Sequence, residues 1–155
     1  MIQRIQSVYL LLMAICLVFV FVLPLASYEM PDLSETLWLT HASDHYKDAV
    51  NVIGMWPGVI LTSLLCAITL LSLLSFRQRK KQMGLGRLMY LLIVGLVAAN
   101  YFFVQNNMPV SENKDAAVVY GIAFFLPVAA LALNFLANRA IRSDEELVKS
   151  VDRLR

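Results

Sequence analysis

The sequence predicts an all-α integral membrane protein. The expected architecture is a four-helix bundle, N-in and C-in, with a longer first outer loop and a short amphipathic helix at the C-terminus. Three observations predict it. Of 155 residues, 59% are hydrophobic and only 15% charged, against about 25% charged in a soluble domain; mean hydropathy is +0.68. Four segments reach the length of about 20 apolar residues that a spanning helix needs. Eleven of the thirteen lysines and arginines fall on one side of the membrane when those segments are threaded through it, the asymmetry that places a side in the cytoplasm.

The first span is expected over residues 5–25. Its apolar run exceeds the 7–15 residues of a signal-peptide core, and Pro24 sits badly before a cleavage point at Ala26, so an uncleaved helix is expected. It is rich in Leu, Val and Phe, and is expected to supply bulk and lipid-facing surface. The second span covers 56–76, the third 85–104 and the fourth 116–137. Arg87 is the one charge inside them, one turn into the third, where an arginine can snorkel to the headgroups. The positive charges gather at Arg4, in the loop RQRKKQMGLGR and beyond Arg139. The outer side keeps only Lys47 and Lys114. Residues 1–142 then form the bundle and 143–155 a cytoplasmic tail.

Lipid tails give no hydrophobic force between helices, so small residues mark their seams. Gly58, Thr62, Cys66 and Thr69 recur at helical spacing in the second span. Gly95 and Ala99 form a small-xxx-small pair in the third. Ala116, Ala123, Pro127, Ala130, Asn134 and Ala137 share a stripe in the fourth. Helix packing is the expected role of these stripes, ahead of a transport path. Pro127 removes one backbone bond, and a modest kink is expected there. Asn100 and Asn134 are the most polar side chains well inside the spans; an interhelical hydrogen bond or a water contact is expected for each.

Several functions are disfavoured. The spans hold no Asp, Glu, Lys or His, the groups that pumps and proton-coupled carriers place in the bilayer. No nucleophile–base pair appears, and the GLG before Arg87 is too short for a phosphate loop, so an enzyme is not expected. No basic cluster is interleaved with aromatics as nucleic acid would require. Cys16 and Cys66 lie in apolar runs without CxxC spacing and read as packing residues. No cofactor is implied.

The first outer loop carries five acidic residues and one lysine, a net charge of −4. Its stretch HASDHYKD holds both histidines. His41, His45 and Asp48 form a weak candidate metal set; a solvated acidic loop is preferred. Tyr28, Trp38 and Trp56 suit aromatic anchoring at the outer interface, and Pro57 suits the first turn of the second span.

The tail SDEELVKSVDRLR reads as a separate helix. Ser143 and Glu146 make a capping box. Glu145 and Lys149 form an i, i+4 pair. Leu147, Val151 and Leu154 line one face, flanked by Glu145 and Arg153, and this face is the expected partner contact. So short a helix is marginal alone and needs a surface to lie on; continuous extension of the fourth span is the other option.

MIQRIQSVYLLL at the start, YGIAFFLPVAALALNFLANRAIRSDEELVKSVDRLR at the end and the basic inner loop together resemble the domain-of-unknown-function family 4293, small four-span membrane proteins of Bacteroidota. The resemblance covers essentially the whole chain. It implies a bacterial inner membrane with the outer loops in the periplasm, and carries over no functional residues. The leading expectation is a non-enzymatic accessory or scaffold subunit. Its partners would be the lipid bilayer and another membrane or cytoplasmic protein, with a homo-oligomer as a further option. The alternatives are a small-solute transporter or channel, and a periplasmic metal-binding protein.

Overall fold

The computed structural model describes residues 2–29, 34–40, 52–75, 79–106 and 117–153. Four helices carry the chain: α1 (Ile2–Val22), α2 (Val52–Leu74), α3 (Arg79–Asn106) and α4 (Ile122–Arg153). All four are long and apolar enough to cross a membrane. Three short strands, β1 (Ala26–Glu29), β2 (Ser34–Leu37) and β3 (Ala117–Tyr120), form one antiparallel sheet of order β2-β1-β3.

The boundaries differ from the expected spans for local reasons. α1 stops at Val22 because Pro24 pushes the residue before it out of the helical region. α2 begins at Val52, so Pro57 falls in the second turn rather than the first and removes the bond its N–H would give Ile53. α3 begins at Arg79; much of the expected basic loop is therefore helical, GLG included. β3 takes residues that the fourth span was expected to use, and α4 starts only at Ile122. α4 then continues without a break through Pro127 and Ser143 to Arg153, 32 residues in all. No glycine or proline follows Pro127 in this helix, so nothing interrupts it. A residue inside a helix cannot act as an N-cap, and the expected capping box at Ser143 gives way.

Each helix buries one stripe at alternating steps of four and three. In α1 the stripe is Gln6, Leu10, Met13, Leu17 and Val20. In α2 it is Gly58, Thr62, Leu65, Thr69 and Ser72. In α3 it runs Gln82, Gly86, Met89, Ile93, Leu96, Asn100 and Phe103. In α4 it is Ala123, Pro127, Ala130, Asn134, Ala137 and Ile141. A strict four-three alternation is the seam of a left-handed coiled bundle. The bulky stripe of α1 complements the small stripe of α4: Val20 and Ala123 share one core cluster, and Met13, Leu17 and Ala130 share the other. α1 is thus a core helix as well as a lipid-facing one; Ile5, Val8, Leu11, Ile15 and Val18 face outward. Gly95 and Ala99 are half-buried on the flank of the α3 seam. A Cβ on Gly95 would meet only Leu61, at 3.9 Å, so this pair does not mark a close approach.

The sheet closes one end of the bundle. β1 is central and pairs with β2 from Ala26↔Leu37 to Glu29↔Ser34, and with β3 from Ala26↔Tyr120 to Glu29↔Ala117. It therefore ties the C-terminal end of α1 to the N-terminal end of α4. Gly121 makes the join possible: its N–H donates to the Leu25 carbonyl at 2.8 Å, and a Cβ there would run into the Pro24 carbonyl oxygen. Leu25, Ala26, Leu37 and Leu39 are buried beneath the sheet. The chain's termini belong to the opposite end.

Candidate functional site

The polar groups of the bundle are distributed unevenly along it. In the middle of α2, the hydroxyls of Thr62 and Thr69 donate to their own helix, at the carbonyls of Gly58 (2.8 Å) and Leu65 (2.7 Å). This back-bonding satisfies a hydroxyl without a partner helix. Cys66, placed on the same stripe by its spacing, is only half-buried. Toward the sheet, Asn100 is 1% exposed, and neither of its amide atoms has a hydrogen-bond partner among the described residues. Leu39 and Asn100 both crowd Gly58: a Cβ there would stand 2.8 Å from Leu39 Cδ1 and 3.2 Å from Asn100 Oδ1. Trp38, between the buried Leu37 and Leu39, is half-buried, and Trp56 is exposed.

The end that carries the termini is the polar one. Asn134 Nδ2 of α4 donates to the Gly86 carbonyl of α3 at 3.0 Å. Asn138 Nδ2 donates to the backbone oxygen of Asn134 at 3.0 Å and to its Oδ1 at 3.1 Å. Asn134, braced by Asn138, clamps α4 to α3, and Gly86 is the residue that admits the pair: a Cβ there would overlap the Asn138 amide. One turn nearer the end, buried Gln82 donates from Nε2 to the Ser72 carbonyl of α2 at 3.2 Å. The Asn134 and Gln82 bonds cross between helices, and the Asn138 bonds brace Asn134 within α4.

Outside this clamp, an open cleft of about 620 Å3 lies between α3 and α4. Arg87 of α3 and Arg139 and Arg142 of α4 line it, with Asn138, Ser143 and Glu146. Three guanidinium groups against one carboxylate leave it net positive. Sequence reasoning counted these arginines for topology and did not see them as neighbours. The signal was there: Arg139 and Arg142 are three apart on one helix face, and antiparallel pairing of α3 with α4 sets Arg87 opposite them. Gln82, Gly86 and Asn138 were also missed, Gln82 because it sits in a stretch expected to be a loop.

The remaining sequence candidates divide in two. Ala123, Pro127, Ala130 and Asn134 lie in the buried α4 stripe. Leu147, Val151 and Arg153 lie on helical backbone at the end of α4, and Glu145 is half-buried there; Leu154 is outside the described residues. His41, His45 and Asp48 also lie outside them. Among the described residues no three His, Cys, Asp or Glu side chains gather as a metal set would.

No curated protein matches the chain. The family model of the domain of unknown function DUF4293 matches residues 2–154. Multi-pass insertion in the bacterial inner membrane accords with that match and with the four apolar helices. A match over essentially the whole length leaves one conclusion: the chain belongs to the DUF4293 family.

Proposed function

We propose that the protein is a non-enzymatic accessory or scaffold subunit of an inner-membrane complex, contacted through the cytoplasmic end of α4. The observation that carries this reading is the unbroken length of α4. Its 32 residues extend about 48 Å at a rise of about 1.5 Å per residue, against a hydrocarbon core of about 30 Å. Roughly a dozen residues project beyond the bilayer. They are the charged stretch around SDEELVKSVDR, with Leu147 and Val151 one helical turn apart.

Continuity changes what the tail can do. A separate short helix would need a surface to fold against. As the end of a helix held by the α1–α4 seam and the asparagine clamp, the arm is ordered beforehand, which reduces the entropy lost on docking. Its acidic run makes it a poor ligand for anionic lipid, so a protein partner is favoured over the membrane surface. The excess of positive charge at this end supports a cytoplasmic placement.

The test is a mild-detergent pull-down from native membranes with the full chain and with a chain ending at Arg142. A partner recovered with the full chain and lost with the shorter one is expected. Leu147→Asp with Val151→Asp should release the same partner while leaving the bundle folded. Equal recovery with all three chains would end the docking reading.

A further inference from the structure

We propose that the groove between α3 and α4 is a binding site for one anionic phospholipid. Arg87, Arg139 and Arg142 hold its headgroup phosphate, and an acyl chain lies along the apolar cleft beyond them. The arginine-lined cavity is one end of a longer feature. Toward the sheet, the same two helices border a second open cleft of about 440 Å3, lined by apolar side chains and the ring of Tyr101. On α3 the two cavities share the stripe Met83, Arg87, Tyr90, Val94, Val97 and Tyr101. On α4 they share Phe124, Val128, Leu131, Phe135, Arg139 and Arg142. Every step is three or four residues, so each stripe is one helix face and the two faces meet in a single groove.

The chemistry changes along that groove as it does along a phospholipid. At the termini end, three arginines line one cleft, and the fork of an arginine matches phosphate oxygens in pairs. Glu146 lies at the same end and leaves a net charge of +2, enough for an anionic headgroup and in excess of what a zwitterionic one needs. Tyr90 marks the level where aromatic rings meet headgroups. Beyond it the lining is apolar. From Arg87 to Tyr101 the groove runs about 21 Å at about 1.5 Å per residue, more than the roughly 15 Å of one leaflet's hydrocarbon. Basic pockets between spanning helices at a membrane face are a recurrent form of headgroup site. Its three arginines all precede Ser143, and only Ser143 and Glu146 of its lining belong to the docking arm.

The experiment uses the purified full chain, stripped of lipid in a non-ionic detergent. It is titrated with phosphatidylglycerol, with phosphatidylcholine of the same acyl chains, and with glycerol 3-phosphate. Native mass spectra and thermal unfolding report binding. One phosphatidylglycerol per chain is expected, bound about tenfold or more tightly than phosphatidylcholine, with no shift from glycerol 3-phosphate. Arg139→Gln with Arg142→Gln should weaken phosphatidylglycerol about tenfold or more and leave phosphatidylcholine unchanged. Ala98→Trp, which fills the apolar cleft with the arginines intact, should also weaken the lipid. Equal binding of the two lipids overturns the proposal using the unaltered chain alone. So does undiminished binding in the arginine variant, or glycerol 3-phosphate matching the lipid, which would mark a site for free phosphate. Unchanged binding in Ala98→Trp removes the acyl chain from the groove.

Discussion

At Gly121 a single hydrogen in place of a methyl group lets the start of α4 touch the end of α1. A methyl there meets the carbonyl oxygen of Pro24, and backbone cannot rotate aside. Gly121→Ala is therefore expected to destabilise the bundle by about 1–3 kcal/mol, read as earlier thermal unfolding in detergent. The Asn134 bond to Gly86 joins two helices with lipid around them. Asn134→Ala should lower stability by about 0.5–1.5 kcal/mol by the same readout. Asn100 predicts the opposite sign. Its amide is buried without a partner among the described residues, so Asn100→Leu should raise stability by about 1 kcal/mol; a lower melting temperature would show that the amide is bonded after all. The small stripe of α4 was legible in the sequence because Ala, Pro and Asn stand out against Leu and Phe at a regular spacing. The α3 seam was not. It is built from Met89, Ile93 and Leu96, side chains of the kind that also face lipid, and composition cannot separate the two.

Whole elements followed a similar rule. The four helices were legible because length and hydropathy set them, through the thickness of a bilayer. The three strands were not, because four-residue strands gain their stability from pairing, and β1 pairs with β3 across about ninety residues of sequence. AVVY also continues an apolar run, so it read as the start of the fourth span. β1 is bonded on both edges, which makes it the element on which the sheet depends. Ser27→Pro removes a backbone donor from this central strand. Hydrogen exchange should then rise across β1, β2 and β3 together and stay slow in the helix seams; loss confined to one edge would show that the strands hold independently. For the tail, helical backbone was legible in the sequence, whereas the separate start expected at Ser143 was not what formed. What decides between a separate helix and an extension is the absence of any breaker between Pro127 and Arg153.

For the molecule as a whole, the distribution of positive charge predicts an orientation that a reporter can check. Alkaline phosphatase fused after Arg155 should be inactive, and fused within residues 41–50 active; the reverse would place the arm and its arginines outside the cell. The functional sites were less legible than the fold, because the arginine groove exists only when α3 and α4 are set antiparallel in register. The sheet has a consequence for how the chain is made. Its first helix is completed near residue 22, yet the elements that close against it, β3 and α4, leave the ribosome last. Until then α1 has only α2 beside it and lacks the small stripe of α4, and β1 has one unfilled edge. Synthesis therefore leaves the α1–α4 seam, the most extensive in the bundle, to close after the others. A chain stalled before α4 sits in the membrane as an open set of spans, and such products should be degraded faster than the finished protein.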